Sequence, residues 1–212
     1  MDKVLVLLSG GLDSTAALIW ALKRGGDVRA LSVYYGQPAG IRECERAIAA
    51  TRELGVEFYR SDISSAYYGG LPGLFRPSPS GLMGDVDSAF VPMRNPILLS
   101  VAAARALLIW PRSHVRLVVG FNAGDCAGFP DCSPLFVEAF SHAINSGLGE
   151  SEHVTVDVPW ANLSKRDVVS WVLSNAPERT RLIDASWSCY RDSGPCGECT
   201  ACVTRTRSFD GQ

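Results

Sequence analysis

The chain has no surplus of positive charge: 20 Lys and Arg stand against 22 Asp and Glu, for a formal net charge of -2 over 212 residues. A polyanionic nucleic-acid backbone selects clustered cations, so a large RNA substrate is disfavoured. Long apolar runs are missing as well. The first one, Val4-Leu5-Val6-Leu7-Leu8, breaks at Ser9-Gly10-Gly11. That is far short of a signal-peptide core or a membrane span, and the expected location is cytoplasmic. There is no internal repeat and no low-complexity tract, which removes repeat architectures from consideration. The three histidines, His114, His142 and His153, lack metal-ligand spacing.

What is present is ordinary for a globular protein, with 47% hydrophobic and 20% charged residues and a length that suits one domain with a small appendage. Seven cysteines are an odd number. In a reducing compartment their spacing is read for metal binding or catalysis before disulfides.

The run Val4 to Leu8 fits a strand buried on both faces of a parallel sheet, and Ala16 to Leu22 reads as an apolar helix. Further strands are predicted at about Val28 to Tyr34, Val56 to Arg60, Val115 to Phe121 and Val154 to Val158. Helices are predicted at about Arg42 to Leu54, Pro96 to Ile109, Pro134 to Asn145 and Ser164 to Asn175. Pro96 and Pro134 suit a first helical turn, and Ser164 with Asp167 can cap the last helix. The βα alternation implies an α/β fold: a doubly wound, mostly parallel, Rossmann-like sheet. Residues 64–90, broken by glycine and proline, are predicted as a long irregular loop, functional or disordered. The division expected is residues 1–175 as the sheet domain and 176–212 as a small cysteine-bearing tail.

Ser9-Gly10-Gly11-Leu12-Asp13-Ser14-Thr15 lies between the first strand and the first helix. Free amides and the helix dipole hold phosphate there, and the three hydroxyls add donors. No Lys precedes the Ser-Thr pair, so this is not a Walker A loop, and it is not a GxGxxG fingerprint. A carboxylate beside a polyphosphate is repulsive unless a divalent cation separates them, so Asp13 points to Mg²⁺, the alternative being a helix cap.

Cys189-x₆-Cys196-x₂-Cys199-x₂-Cys202, with Gly194, Pro195 and Gly197 for tight turns, points to a closed tetrahedral Zn²⁺ site. An iron–sulfur cluster is the rival functional reading, and free or paired cysteines the plain one. Cys132 reads more readily as a small buried residue than as a nucleophile, and Cys44 and Cys126 as packing or surface residues.

The loop Ser-Gly-Gly-x-Asp-Ser resembles that of the PP-loop, or N-type, ATP pyrophosphatase superfamily, which has an adenine nucleotide alpha hydrolase-like fold. The resemblance implies cleavage of ATP between its α- and β-phosphates. Loop and cysteine tail together resemble the 7-cyano-7-deazaguanine synthase family along nearly the whole chain. The stretches that carry it are Leu8–Thr15, Tyr35-Gly36-Gln37, Val91-Pro92-Met93-Arg94-Asn95, Gly120–Asp125, Gly128–Cys132 and Ser188-Cys189-Tyr190 with the remaining cysteines.

This resemblance implies a ligase that adenylates 7-carboxy-7-deazaguanine and, with ammonia, converts it to the nitrile, and it implies a homodimer. Residues 9–15 would hold ATP. Asn122, Asp125 and Asp131 would read the deazapurine, joined by Asn95 from the Arg94 stretch. Arg94 would face the carboxylate or phosphate, Lys165 would offset α-phosphate charge, and Asp131 would order ammonia. The alternatives are solvated surface charges or helix-end partners for Arg94 and Lys165, and loop-fixing side chains for Asn122, Asp125 and Asp131.

The match departs from the family where Gln37 is followed by Pro38-Ala39-Gly40 in place of Arg-His. It departs again where the usual Tyr, Ser, Tyr and Arg are replaced by Cys126, Ala127, Phe129 and Ser133. These losses motivate a second hypothesis, in which the acid is activated in the same way but joined to another amine, such as one on a protein partner. A third is a tRNA thiolase, which the charge balance disfavours. The non-enzyme option is a degenerate nucleotide-binding fold that uses its metal tail for interactions.

Overall fold

Val4, Leu5 and Val6 are all buried, alternating toward opposite faces of one sheet. Each such side chain removed from water contributes about 1.5–3 kcal/mol, which places this strand at the centre. The computed structural model describes residues 1–65, 91, 93–150, 152–191 and 193–210. From residue 66 on, the segment predicted as an irregular loop lies outside the described residues.

In chain order the elements are β1 (Lys3–Leu7), α1 (Leu12–Arg24), β2 (Asp27–Tyr34), α2 (Gly40–Leu54), β3 (Glu57–Asp62), α3 (Arg94–Ile109) and β4 (His114–Val118). They continue with α4 (Ala123–Gly128), α5 (Pro134–Ser146), β5 (His153–Asp157), α6 (Lys165–Asn175), α7 (Thr180–Asp184) and α8 (Thr200–Phe209). All strand pairs are parallel, in the order β3-β2-β1-β4-β5. The predicted strands and long helices are present, with ends shifted by at most four residues.

Val4, Val6 and Leu8 pack with α1, α2 and α6 on one face, and Leu5, Leu31 and Leu117 with α3 and α5 on the other. That is the doubly wound arrangement. The first core continues past residue 175, because Ala176, Leu182 and Ile183 are buried in it. Ser164 caps α6 and forms a reciprocal capping box with Asp167, and Pro134 opens α5 behind the Ser133 cap.

The chain leaves β1 toward β2 and leaves the adjacent β4 toward β5, in opposite directions across the sheet. Such a switch point opens a crevice at the carboxyl ends of the two strands, where α/β sheets bind ligands. The loops at residues 8–12 and 119–122 meet there. Among the described residues no helix is long and apolar enough to cross a membrane.

Candidate active site

Gly11 is the N-cap of α1, and no side chain caps that helix. Its first-turn amides have no acceptor within the helix, and so remain available to an anion. Ser9 Oγ accepts from the Gly11 N–H at 3.2 Å and lies 2.9 Å from Ser14 Oγ, while Ser14 Oγ donates to the Gly11 carbonyl at 3.1 Å. The hydroxyls therefore shape the turn itself.

Two glycines let other backbone press close against this turn. Gly10 has φ 82°, and a Cβ there would lie 2.1 Å from the Glu43 carbonyl oxygen. At Gly120 a Cβ would lie 2.7 Å from the Asp13 carbonyl carbon. From further along the chain, the buried Trp160 indole donates to the Asp13 carbonyl at 3.1 Å, and the Trp187 N–H donates to the Gly10 carbonyl at 2.9 Å.

A cleft of about 280 Å³ opens beside the turn, with Ser9, Asp13, Tyr35, Glu43, Arg94 and Gly120 among its lining residues. Lys165, the first residue of α6, reaches across to place Nζ 2.7 Å from Asp13 Oδ2. The other carboxylate oxygen, Asp13 Oδ1, is buried with no hydrogen-bond partner among the described residues. Asp13 is thus no helix cap. A buried, unpaired carboxylate oxygen is costly, and its chemistry fits a hard divalent cation.

The surrounding charges are tuned by burial and by one another. Burial pushes Lys165 down, but Asp13 and Asp125 outweigh it and hold the ammonium above its ordinary range. Arg94 is likewise pushed down by burial and raised overall by Tyr35, Asp131 and Cys132. Asp125 is pushed up, first by burial, with the nearby Asp13 carboxylate adding to it. Tyr190, half exposed next to Cys189, is raised by burial and then by Cys199, with Lys165 and Arg94 partly offsetting them.

Not every predicted site residue faces the cleft. Leu12 is in the core, so only its amide can serve, and Thr15 is buried and lines a separate groove behind the turn. Asn122 Oδ1 accepts from the Gly124 and Asp125 amides, and Asp125 Oδ2 accepts from the Asn122 amide, a capping box at the start of α4. Asp131 Oδ2 accepts from the Asn95 amide at 3.4 Å, and the buried Asn95 donates Nδ2 to Cys132 Sγ at 3.1 Å. These four side chains fix the wall of the site with those atoms. Burial pushes the Cys132 thiol up to about 12, so it stays neutral and packs.

Sequence reasoning passed over Glu43, a carboxyl in the cleft pushed up by burial. Gln37 donates Nε2 to Glu43 Oε2 at 2.9 Å, and its Oε1 accepts from the Tyr35 amide. Nothing local in the charged face of α2 distinguishes Glu43 from Glu45. Trp187 and Arg205 were also missed, since their partners lie far away in sequence.

The sulfurs of Cys189, Cys196, Cys199 and Cys202 all lie within 4.8 Å of one another. Cys196 and Cys202 Sγ are 3.9 Å apart, close to the roughly 3.8 Å that four sulfurs about 2.3 Å from a tetrahedral ion would keep. Backbone amides of residues 191, 199 and 202 donate to the sulfurs of Cys189, Cys196 and Cys199 at 3.4 Å. Such bonds favour thiolates, and four thiolates this close need a cation among them.

The family model described as "Queuosine biosynthesis protein QueC" matches residues 3–212. The chain belongs to the QueC family. Among its relatives, the 7-cyano-7-deazaguanine synthase of Laribacter hongkongensis is 36% identical, over 98% of this chain and 90% of that protein. The protein of the same name from Thermoplasma volcanium is 35% identical over 98% and 86%, and that from Koribacter versatilis 34% over 99% and 89%.

Two solved structures share the fold at 14% identity. One is NMN synthetase from Francisella tularensis, with a TM-score of 0.53 over 97% of this chain and 76% of that one. The other is the U34-tRNA thiolase NcsA from Methanococcus maripaludis with its 4Fe–4S cluster, with a TM-score of 0.51 over 98% and 64%. The QueC family assignment agrees with the resemblance carried by the loop and the cysteine tail.

Proposed function

We propose that the chain activates 7-carboxy-7-deazaguanine with ATP and converts it, using ammonia, to 7-cyano-7-deazaguanine. One observation carries the reading: an unpaired, buried Asp13 oxygen stands beside an uncapped helix N-terminus at the switch point of the sheet. Mg²⁺ held by Asp13 would supply charge neutralisation for the departing pyrophosphate.

The first-turn amides of residues 12–14 grip that pyrophosphate, in a turn that the hydroxyls of Ser9 and Ser14 hold in shape. Lys165, oriented by Asp13, opposes charge building on the α-phosphate, and Arg94 faces the acid. A substrate carboxylate oxygen attacks the α-phosphorus, the bond to the bridging oxygen breaks, and an acyl adenylate and pyrophosphate result. Ammonia, ordered by Asp131, then displaces AMP with loss of a proton, giving the amide. A second ATP adenylates the amide oxygen, and departure of AMP with a further proton leaves the nitrile. The four cysteines hold Zn²⁺ in a closed structural site.

The test is release of AMP and pyrophosphate with the acid, with and without ammonia, and mass analysis of the product. Two AMP per nitrile is the expected result, and no AMP release with this acid would end the reading. A second reading has its own support. The loop at 126–133 brings no cation to the site, and Ser133 is committed to capping α5. In that reading the adenylate forms in the same way but is captured by an amine on another molecule, such as a protein. An amide conjugate with no nitrile would favour it.

A further inference from the structure

Arg205, on the face of α8 turned toward the body of the protein, makes four hydrogen bonds to one short segment. Its Nη1 donates to Ser186 Oγ at 2.7 Å and Ser188 Oγ at 3.2 Å, and its Nη2 to the Ile183 carbonyl at 2.8 Å and the Asp184 carbonyl at 2.7 Å. Residue 187, between those two serines, donates its backbone N–H to the Gly10 carbonyl at 2.9 Å. The Trp187 carbonyl also lies against Gly11, 3.4 Å from where a Cβ would stand. At the other end of α8, Cys199 is the N-cap, its sulfur accepting from the Cys202 amide.

We propose that Arg205 is a positioning residue that latches the loop of residues 9–15 to the cysteine cluster. The path is continuous: the cluster fixes the start of α8, α8 carries Arg205, Arg205 clamps residues 183–188, and residue 187 holds Gly10. A guanidinium with a fork of fixed donors suits this task, because it fastens two carbonyls and two hydroxyls in one geometry. The loop needs such a hold. No side chain caps α1, and Gly10 stands at a positive φ; the turn's own bonds from Ser9 and Ser14 fasten Gly11, so the Gly10 carbonyl is held from outside, by residue 187. The inference rests on reading this loop as the phosphate site, and it adds a role for the tail beyond stabilising itself.

The test compares metal-loaded, full-length wild type with Arg205→Met and with the double variant Ser186→Ala/Ser188→Ala. Hydrogen–deuterium exchange is followed in peptides covering residues 9–15, 94–109 and 176–210, alongside metal content and ATP–Mg²⁺ affinity. In Arg205→Met, exchange at 9–15 should quicken and ATP affinity fall by about ten-fold each, as for one charge-assisted hydrogen bond lost, with metal retained and 94–109 unchanged. The double serine variant, which keeps the two carbonyl bonds, should give a smaller change in the same direction. It carries the test alone if Arg205→Met fails to fold. Faster exchange confined to 176–210, with 9–15 and ATP affinity at wild-type values, would overturn the proposal. If ATP fails to protect 9–15 even in wild type, the phosphate-loop reading fails separately, and exchange in the free protein still decides the role of Arg205.

Discussion

Lys165 Nζ lies 2.7 Å from Asp13 Oδ2, while the second oxygen of that carboxylate is buried and unpaired. The pair therefore holds a carboxylate with one oxygen committed and one reserved. Asp13→Asn keeps the shape and removes the charge, so pyrophosphate release should fall by at least about a hundred-fold, roughly 2.7 kcal/mol of transition-state stabilisation. It also strands the mostly buried Lys165 ammonium, and that has its own signature. The thermal midpoint of Asp13→Asn should lie below that of the double variant Asp13→Asn/Lys165→Met, which leaves no orphan charge. Equal midpoints would show that the pair is not coupled.

Gly10 and Gly25 both have positive φ, 82° and 79°, but only Gly10 has backbone in the way of a Cβ. The two substitutions to Ala thus separate strain of conformation from strain of contact. Gly25→Ala should cost about 1–3 kcal/mol from its positive-φ, extended-ψ backbone alone. Gly10→Ala must in addition push α2 away from the loop, and should cost more by about 1–3 kcal/mol and reduce ATP turnover at least ten-fold. Denaturant unfolding and AMP release measure both. Similar losses at the two sites would mean that α2 gives way freely.

Much of the architecture could be read in advance because its signals are local. Val4 to Leu8 is apolar without alternation, so it had to be a strand buried on both faces, and the glycine turn behind it marked the helix start. Ser164 and Asp167 declared their capping box by spacing alone. What escaped was set by tertiary partners. Lys165 could be suspected, but its carboxylate lies on α1, and no pattern near either residue names the other. The residue types of Asn122 and Asp125 suit a base edge, and the same atoms suit a helix N-terminus, so sequence alone leaves both roles open. The short helices α4, α7 and α8 carry too little apolar periodicity to show, and α8 owes its place to Cys199 and Arg205.

Glu43 makes a pH prediction of definite sign. Burial pushes its carboxyl up, with Gln37 and Arg94 only partly offsetting it. The folded state therefore binds that proton more tightly than the unfolded chain. Its stabilising contribution is present below the unfolded carboxylate pKa and is lost as pH rises through the folded one. Glu43→Gln keeps the size and an oxygen to accept from Gln37. The variant should match wild type at about pH 4 and exceed it in stability by about pH 8, in urea unfolding across that range. A variant less stable at the higher pH would show that an ionised Glu43 is held by a stronger partner than these two.

The cysteine cluster decides between two chemistries that share its ligands. Four cysteine sulfurs within 4.8 Å of one another suit a single zinc ion, and also suit the iron–sulfur type of centre carried by one of the structural neighbours. Aerobically purified protein should be colourless and contain one zinc per chain, whereas absorption near 400 nm with iron and sulfide would replace zinc with a cluster. Cys199→Ser removes a metal ligand while leaving a residue that can still cap α8. It should lose the metal and at least about 2 kcal/mol, some 4–8 °C in thermal midpoint for a chain of this length. Restoring zinc to the chelated wild type should recover that midpoint, and the same addition to Cys199→Ser should not, because three sulfurs leave the ion open to competing water.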